Sequence, residues 1–204
     1  MLQKLVITLL LSGILFAQSE VFDLNWNKID QALSIKTERT ILDTNLSFSL
    51  GIVESYEHNS SMQNYLYHTS ILYPMQFDSL ILEVGGKLLY GEMDFGIPQY
   101  KHDISALAIS ANLTYDFDFT ISNHYWIPFA FPLRTKTELQ LAHSAIGATP
   151  FFKSYSELIA KLHVELMRDW WAYIGYRDIE MQYEEEDGKL IFEKGVMLGF
   201  KLYL

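Results

Sequence analysis

KLIFEKGVMLGFKLYL, residues 189–204, decides the fold. The stretch alternates: Leu190, Phe192, Val196, Leu198, Phe200, Leu202 and Leu204 fall on one face, while Glu193, Gly195, Met197, Gly199, Lys201 and Tyr203 fall on the other. A period of two is the signature of a β-strand, whose successive side chains point to opposite faces. One face is apolar and the other small or polar. A strand with lipid on one side and a lumen on the other needs this pattern, and a closing strand of a membrane barrel is the expectation.

The same rhythm recurs upstream. Leu46, Phe48, Leu50 and Ile52 oppose Ser47, Ser49 and Gly51, and Leu80, Leu82, Val84, Leu88 and Tyr90 oppose Glu83, Gly85 and Lys87. The longest example sets Leu107, Ile109, Ala111, Leu113, Tyr115, Phe117 and Phe119 against Ala108, Ser110, Asn112, Thr114, Asp116 and Asp118. Leu139 and Leu141 oppose Glu138 and Gln140, and Leu158 to Leu166 alternate with Glu157, Ile159, Lys161, His163 and Glu165. Tight turns are expected at Pro74-Met75-Gln76 and at Arg168-Asp169, with longer loops at 58–64, 92–102, 147–153 and 184–188. Pro128 and Pro132 cannot donate to a ladder, so 120–135 reads as irregular.

Half of the residues are hydrophobic, with 13 Tyr, 13 Phe and 4 Trp, yet charges interrupt every long apolar run after the first twenty residues. That composition suits strands in lipid rather than helices. No cysteine is present, which excludes disulfides and thiolate metal sites. A net charge of −10 and the lack of a basic stripe exclude nucleic acid as a partner. At the start, Lys4, the apolar run Leu5–Ala17 and Ala17-Gln18-Ser19 have the build of a secretory signal peptide, residues 1–19. Residues 20–43 are weakly patterned and read as a periplasmic lead-in or partial plug.

These readings predict an all-β, transmembrane antiparallel up-and-down β-barrel over residues 44–204. Eight strands are counted from Asn45, ten if 124–147 splits and a further strand forms near Ala32–Lys36. Charges on the lipid face near the midplane cost about 2–4 kcal/mol, so the polar faces must point inward. A lumen charge cluster is expected of Glu83, Lys87, Asp116, Glu138, Lys161, His163, Glu165, Arg177 and Lys201. Trp170, Trp171 and Tyr173 are expected in an interfacial aromatic girdle.

The chain resembles the small bacterial outer-membrane β-barrel proteins, and is similar to a family of functionally uncharacterised barrels of Gram-negative proteobacteria. The signal peptide, the stretch Tyr73-Pro74 to Leu82, Gly175-Tyr176-Arg177, the acidic loop 184–188 and a last strand with Gly195 and Gly199 carry the likeness. The chain departs from the pattern in ending on Leu204 where many such proteins carry Phe, and in its Pro128/Pro132 pair. The resemblance implies residence in the outer membrane, contact with its lipid and lipopolysaccharide, and recognition of the C-terminal strand by the barrel-assembly machinery. A monomer without cofactor or metal is expected, serving envelope structure, surface contact or limited passage of small solutes.

Two other classes compete. His68 and Ser70 share one strand face, as in the His-x-Ser pair of outer-membrane lipid A deacylases, although the flanking residues do not match that motif. A nucleophile needs a base and an orienting group in reach, so polar wall residues are the simpler reading and no catalytic residue is assigned. His143 and Ser144, adjacent in a strand, must face apart. The second competitor is a soluble barrel binding an apolar ligand, which would turn the apolar faces inward.

Overall fold

The computed structural model describes residues 21–27, 32–41, 46–56, 63–94, 101–117, 134–148, 152–167, 169–183 and 189–203. Among them run ten strands: β1 Val21–Asn27, β2 Ala32–Ile41, β3 Leu46–Tyr56, β4 Gln63–Phe77, β5 Leu80–Asp94, β6 Lys101–Phe117, β7 Thr135–Gly147, β8 Phe152–Met167, β9 Trp170–Tyr183 and β10 Lys189–Tyr203. Each pairs antiparallel with its sequence neighbours, and β1 also pairs with β10, so the sheet closes into a barrel. Closure leaves no edge whose backbone groups would lie unpaired in hydrocarbon.

The described residues therefore hold ten strands, where eight were counted and ten was the alternative. The two additional strands come from the segment read as a lead-in. In β1, Asp23 and Asn25 are buried while Leu24 is half-buried and Trp26 exposed, the same alternation as elsewhere but only seven residues long. Of the stretch 124–147, the described residues hold the strand β7, and 124–133 lie outside them. The signal peptide, the Pro128/Pro132 stretch, Asp118 and the acidic loop 184–188 lie outside the described residues.

β1 begins and β10 finishes at one end of the barrel, hereafter the terminal end; β3, β5 and β9 finish at the far end. Two tight turns close the terminal end. Asp78 (φ 50°) and Asp169 (φ 69°) adopt the left-handed conformation that Asp tolerates better than most residues. The first turn falls at Asp78-Ser79 rather than at 74–76. Pro74 is inside β4, paired with Glu83 of β5. The β3 ladder ends at Leu72, so the absent N–H of Pro74 breaks no bond on that side.

Alternation sorts the faces as expected. On β6, Ile109 is 74% exposed on the outer wall and Ser110 is 1% exposed on the inner. Ile71, Leu88, Leu107, Leu162, Ile174, Leu198 and Phe200 continue the outer apolar surface around the ring. Ser49, Ser70, Lys87, Asn112, Gln140, Lys161 and Arg177 are buried inside. This is the inverse of a water-soluble protein. A register shift between Ile191 and Glu193 marks a bulge near the far end of β10, and Gly195 follows at φ 152°, a backbone angle costly to a side chain.

Candidate functional site: a two-storey lumen

Side chains fill the interior in two storeys. The far half is apolar: Val53, Leu66, Leu89, Ile104, Phe152, Tyr155, Ile179 and Met181 form one buried cluster. Every strand from β3 to β9 contributes to it, always from its far-end half. The terminal half is polar and ionic.

At the boundary, Lys87 of β5 and Glu157 of β8 form a salt bridge across the lumen, both side chains 2% exposed. The Tyr155 hydroxyl donates to the same carboxylate, and Gln140 Nε2 donates to its other oxygen at 3.3 Å. The void left among Lys87, Gln140, Glu157, Lys161 and Arg177 is about 20 Å³, room for a single water.

Below it lies a second network. Asp23 of β1 accepts from Lys161 Nζ of β8 at 2.7 Å and from the Tyr173 hydroxyl of β9. Glu138 of β7 lies 4.0 Å from Lys161, 3.7 Å from Lys201 of β10 and 3.3 Å from His163 Nε2. Two carboxylates thus meet two ammonium groups. Low dielectric makes each contact strong and makes any unpaired member costly. Five strands, β1 and β7 to β10, are tied through their interior faces.

Of the nine residues expected in the lumen, six are deeply buried there: Lys87, Glu138, Lys161, His163, Arg177 and Lys201. Glu83 is half-buried and accepts from Ser47 Oγ at 2.9 Å and Asn112 Nδ2 at 2.7 Å. Asp116 and Glu165 sit at the terminal mouth, where exposed Arg134 lies 3.2 Å from the first and 4.0 Å from the second. Asp23, Tyr155 and Glu157 belong to the networks but were not singled out beforehand. Glu157 stood in the alternating β8 pattern, whereas Asp23 lay in the segment excluded from the barrel.

The aromatic girdle needs correction. Trp170 is 52% exposed on the outer wall, but Trp171 and Tyr173 are each 4% exposed and point inward. Period two forbids Trp170 and Trp171 from sharing a face. Trp171 packs under Lys136, whose ammonium is 4.5 Å from its ring centre, and Tyr173 lies 4.6 Å from Lys161, distances at which cation–π attraction acts. The Tyr173 ring covers Gly199, where a Cβ would come within 2.3 Å of it.

His68 and Ser70 are also buried on the inner wall. Ser70 shares a hydrogen bond with Ser49, and the His68 ring fills the space beside Gly51 that a Cβ would need. The pair is turned away from the outer surface. Ser144 points inward and His143 outward, on opposite faces as expected. Among the described residues no group of three or more His, Asp or Glu side chains is placed to hold a metal ion.

No family model matches this chain, and no curated protein matches it. Among solved structures, the outer membrane channel DcaP of Acinetobacter baumannii is similar over 89% of this chain, at 8% identity and a TM-score of 0.42. The chain spans about half of that channel, 54% of its length.

Proposed function

We propose that this chain is an integral outer-membrane β-barrel that is closed to solutes and serves the envelope as an anchored wall element, with its far end outward. The observation that carries the reading is the reversal of polarity across the wall. Ion pairs such as Lys87–Glu157 and Lys161–Asp23 lie inside, and Ile109, Leu88, Ile174 and Phe200 lie outside. Only a surrounding apolar solvent makes that arrangement stable. A soluble barrel binding an apolar ligand would need the opposite sorting.

The apolar upper storey supports the closed state. An ion crossing it would give up its water among the apolar side chains of Leu66, Ile179 and Met181, and such burial is prohibitive. Reconstitution in a planar bilayer is the direct test. The expected result is a flat baseline; steady single-channel steps would overturn the closed reading. Retention of the chain in the membrane pellet after alkaline carbonate washing tests the membrane assignment itself.

A further inference from the structure

Nine of the ten ladders join strands that follow one another in the sequence; the tenth, between β1 and β10, does not. A short connection limits how far two strands can slide past each other. No such connection spans the seam, where Val21 faces Tyr203. The register chosen there also fixes the geometry of the whole ring. The paired row that leaves Phe77 of β4 reaches Leu198 of β10, crosses the seam to Trp26 and returns to β4 at Tyr65. The ring therefore closes with a stagger of 77 − 65 = 12 residues along this row. Stagger and strand number together set the tilt of the strands and the width of the lumen.

Backbone pairing alone does not choose this register. A slip of one residue is forbidden by the faces, since it would turn Asp23 to the lipid and Trp26 to the lumen. A slip of two keeps every face and most of the ladder. β1 has only seven residues with which to oppose it.

One of them does so strongly. Asp23, 1% exposed, accepts from Lys161 Nζ at 2.7 Å and from the Tyr173 hydroxyl. Those donors stand on β8 and β9, whose mutual register is held by the tight turn at Asp169. In the ladder, Asp23 is the register partner of Lys201 on β10 and of Lys36 on β2, and opposite charges directly across a strand pair attract. A two-residue slip puts Val21 or Asn25 opposite Lys201 instead. Neither carries a charge, and the Lys161 ammonium would lose its short contact in a low-dielectric interior, where that contact is strong. Only Glu138, at 4.0 Å, would remain to it among the ion pairs of the described residues.

We propose that Asp23 is the register lock of the seam: by docking on Lys161 and Tyr173 as β1 meets β10, it selects one closure among those the faces permit. Selection of a single register by a buried polar group is the best-attested use of such groups. One side chain thus carries the information that a seven-residue ladder lacks, and the stagger of the ring follows from it. The proposal rests on the closed membrane barrel argued above.

The chain has no cysteine, so introduced pairs report the register directly. Leu24 of β1 faces Phe200 of β10 on the outer wall. L24C/F200C is expected to cross-link when the full-length barrel is oxidised. L24C/L198C and L24C/L202C should not, because residues offset by two stand about 7–8 Å apart, beyond the span of a disulfide. D23N should spread the cross-link over the three pairs. D23N/N25D moves the carboxylate two places, and the seam should follow it. In that background the L24C/L202C product should exceed the L24C/F200C product by about tenfold, the worth of one charge-assisted hydrogen bond. K87A weakens the interior away from the seam and should keep the native pair. Native register retained in both D23N and D23N/N25D, or slippage in K87A equal to that in D23N, would overturn the lock. Where D23N does not close, D23N/N25D decides: closure in the shifted register supports the lock, and native closure or none overturns it. Mobility on gels before and after boiling separates the two levels of failure. An unsubstituted chain that never shifts on heating defeats the membrane barrel, whereas one that shifts while D23N/N25D keeps the native register defeats the lock alone.

Discussion

Lys87 and Glu157 carry opposite charges where neither side chain reaches water. Removing one partner strands the other, so Lys87→Ala is expected to destabilise the lipid-embedded barrel by about 3–5 kcal/mol in urea titration. The double replacement Lys87→Met/Glu157→Gln should cost less than the single one, because no charge is left buried. A double variant as unstable as the single would show that the pair contributes through packing alone. The adjacent tryptophans allow a different check. In variants that keep one of the two as the chain's sole tryptophan, brominated lipid should quench Trp170 strongly and spare Trp171. Residue by residue, inward or outward position was readable wherever a strand was long. Glu157, Lys161 and His163 follow directly from the β8 alternation. Trp171 and Tyr173 were misplaced because aromatic identity was given more weight than parity. Partners such as Lys161–Asp23 were not readable, since they depend on which strands face one another across the lumen.

At the level of the strand, β5 pairs without a shift of register on either side, and β1 is the least obvious element. Leu198→Arg, on the lipid side of β10, is expected to cost about 2–4 kcal/mol in unfolding from lipid vesicles. Lys201, three residues on but on the inner face, is tolerated because Glu138 lies 3.7 Å away. Seven residues give β1 only three or four per face, too few to stand out from chance, which explains the eight-strand count. An even number is required to bring first and last strands together antiparallel, and eight satisfies it as well as ten does, so parity alone could not decide. Deleting residues 21–41 separates the two counts. Loss of the heat-dependent gel shift is expected, because β3 and β10 would be left as open edges in hydrocarbon. A truncated chain that still shifts would restore the eight-strand barrel.

For the molecule as a whole, the covered far storey and the ionic terminal storey make the interior a cup rather than a tube. The general class was legible from periodicity and composition; the layering was not, because it emerges only when the far-end halves of seven strands are superposed. The ring itself has a further consequence, for the order of assembly. Its seam joins Val21 to Tyr203, residues separated by 203 − 21 = 182 positions. Hairpin pairs can zip as they form, but this junction gathers nearly the entire polypeptide into one loop, an entropic toll on the order of 5 kcal/mol. Until that last zipper shuts, β1 and β10 each carry a bare row of amides. Biogenesis therefore needs a surface that shelters both margins at once, and the slowest event in maturation is expected to be their meeting.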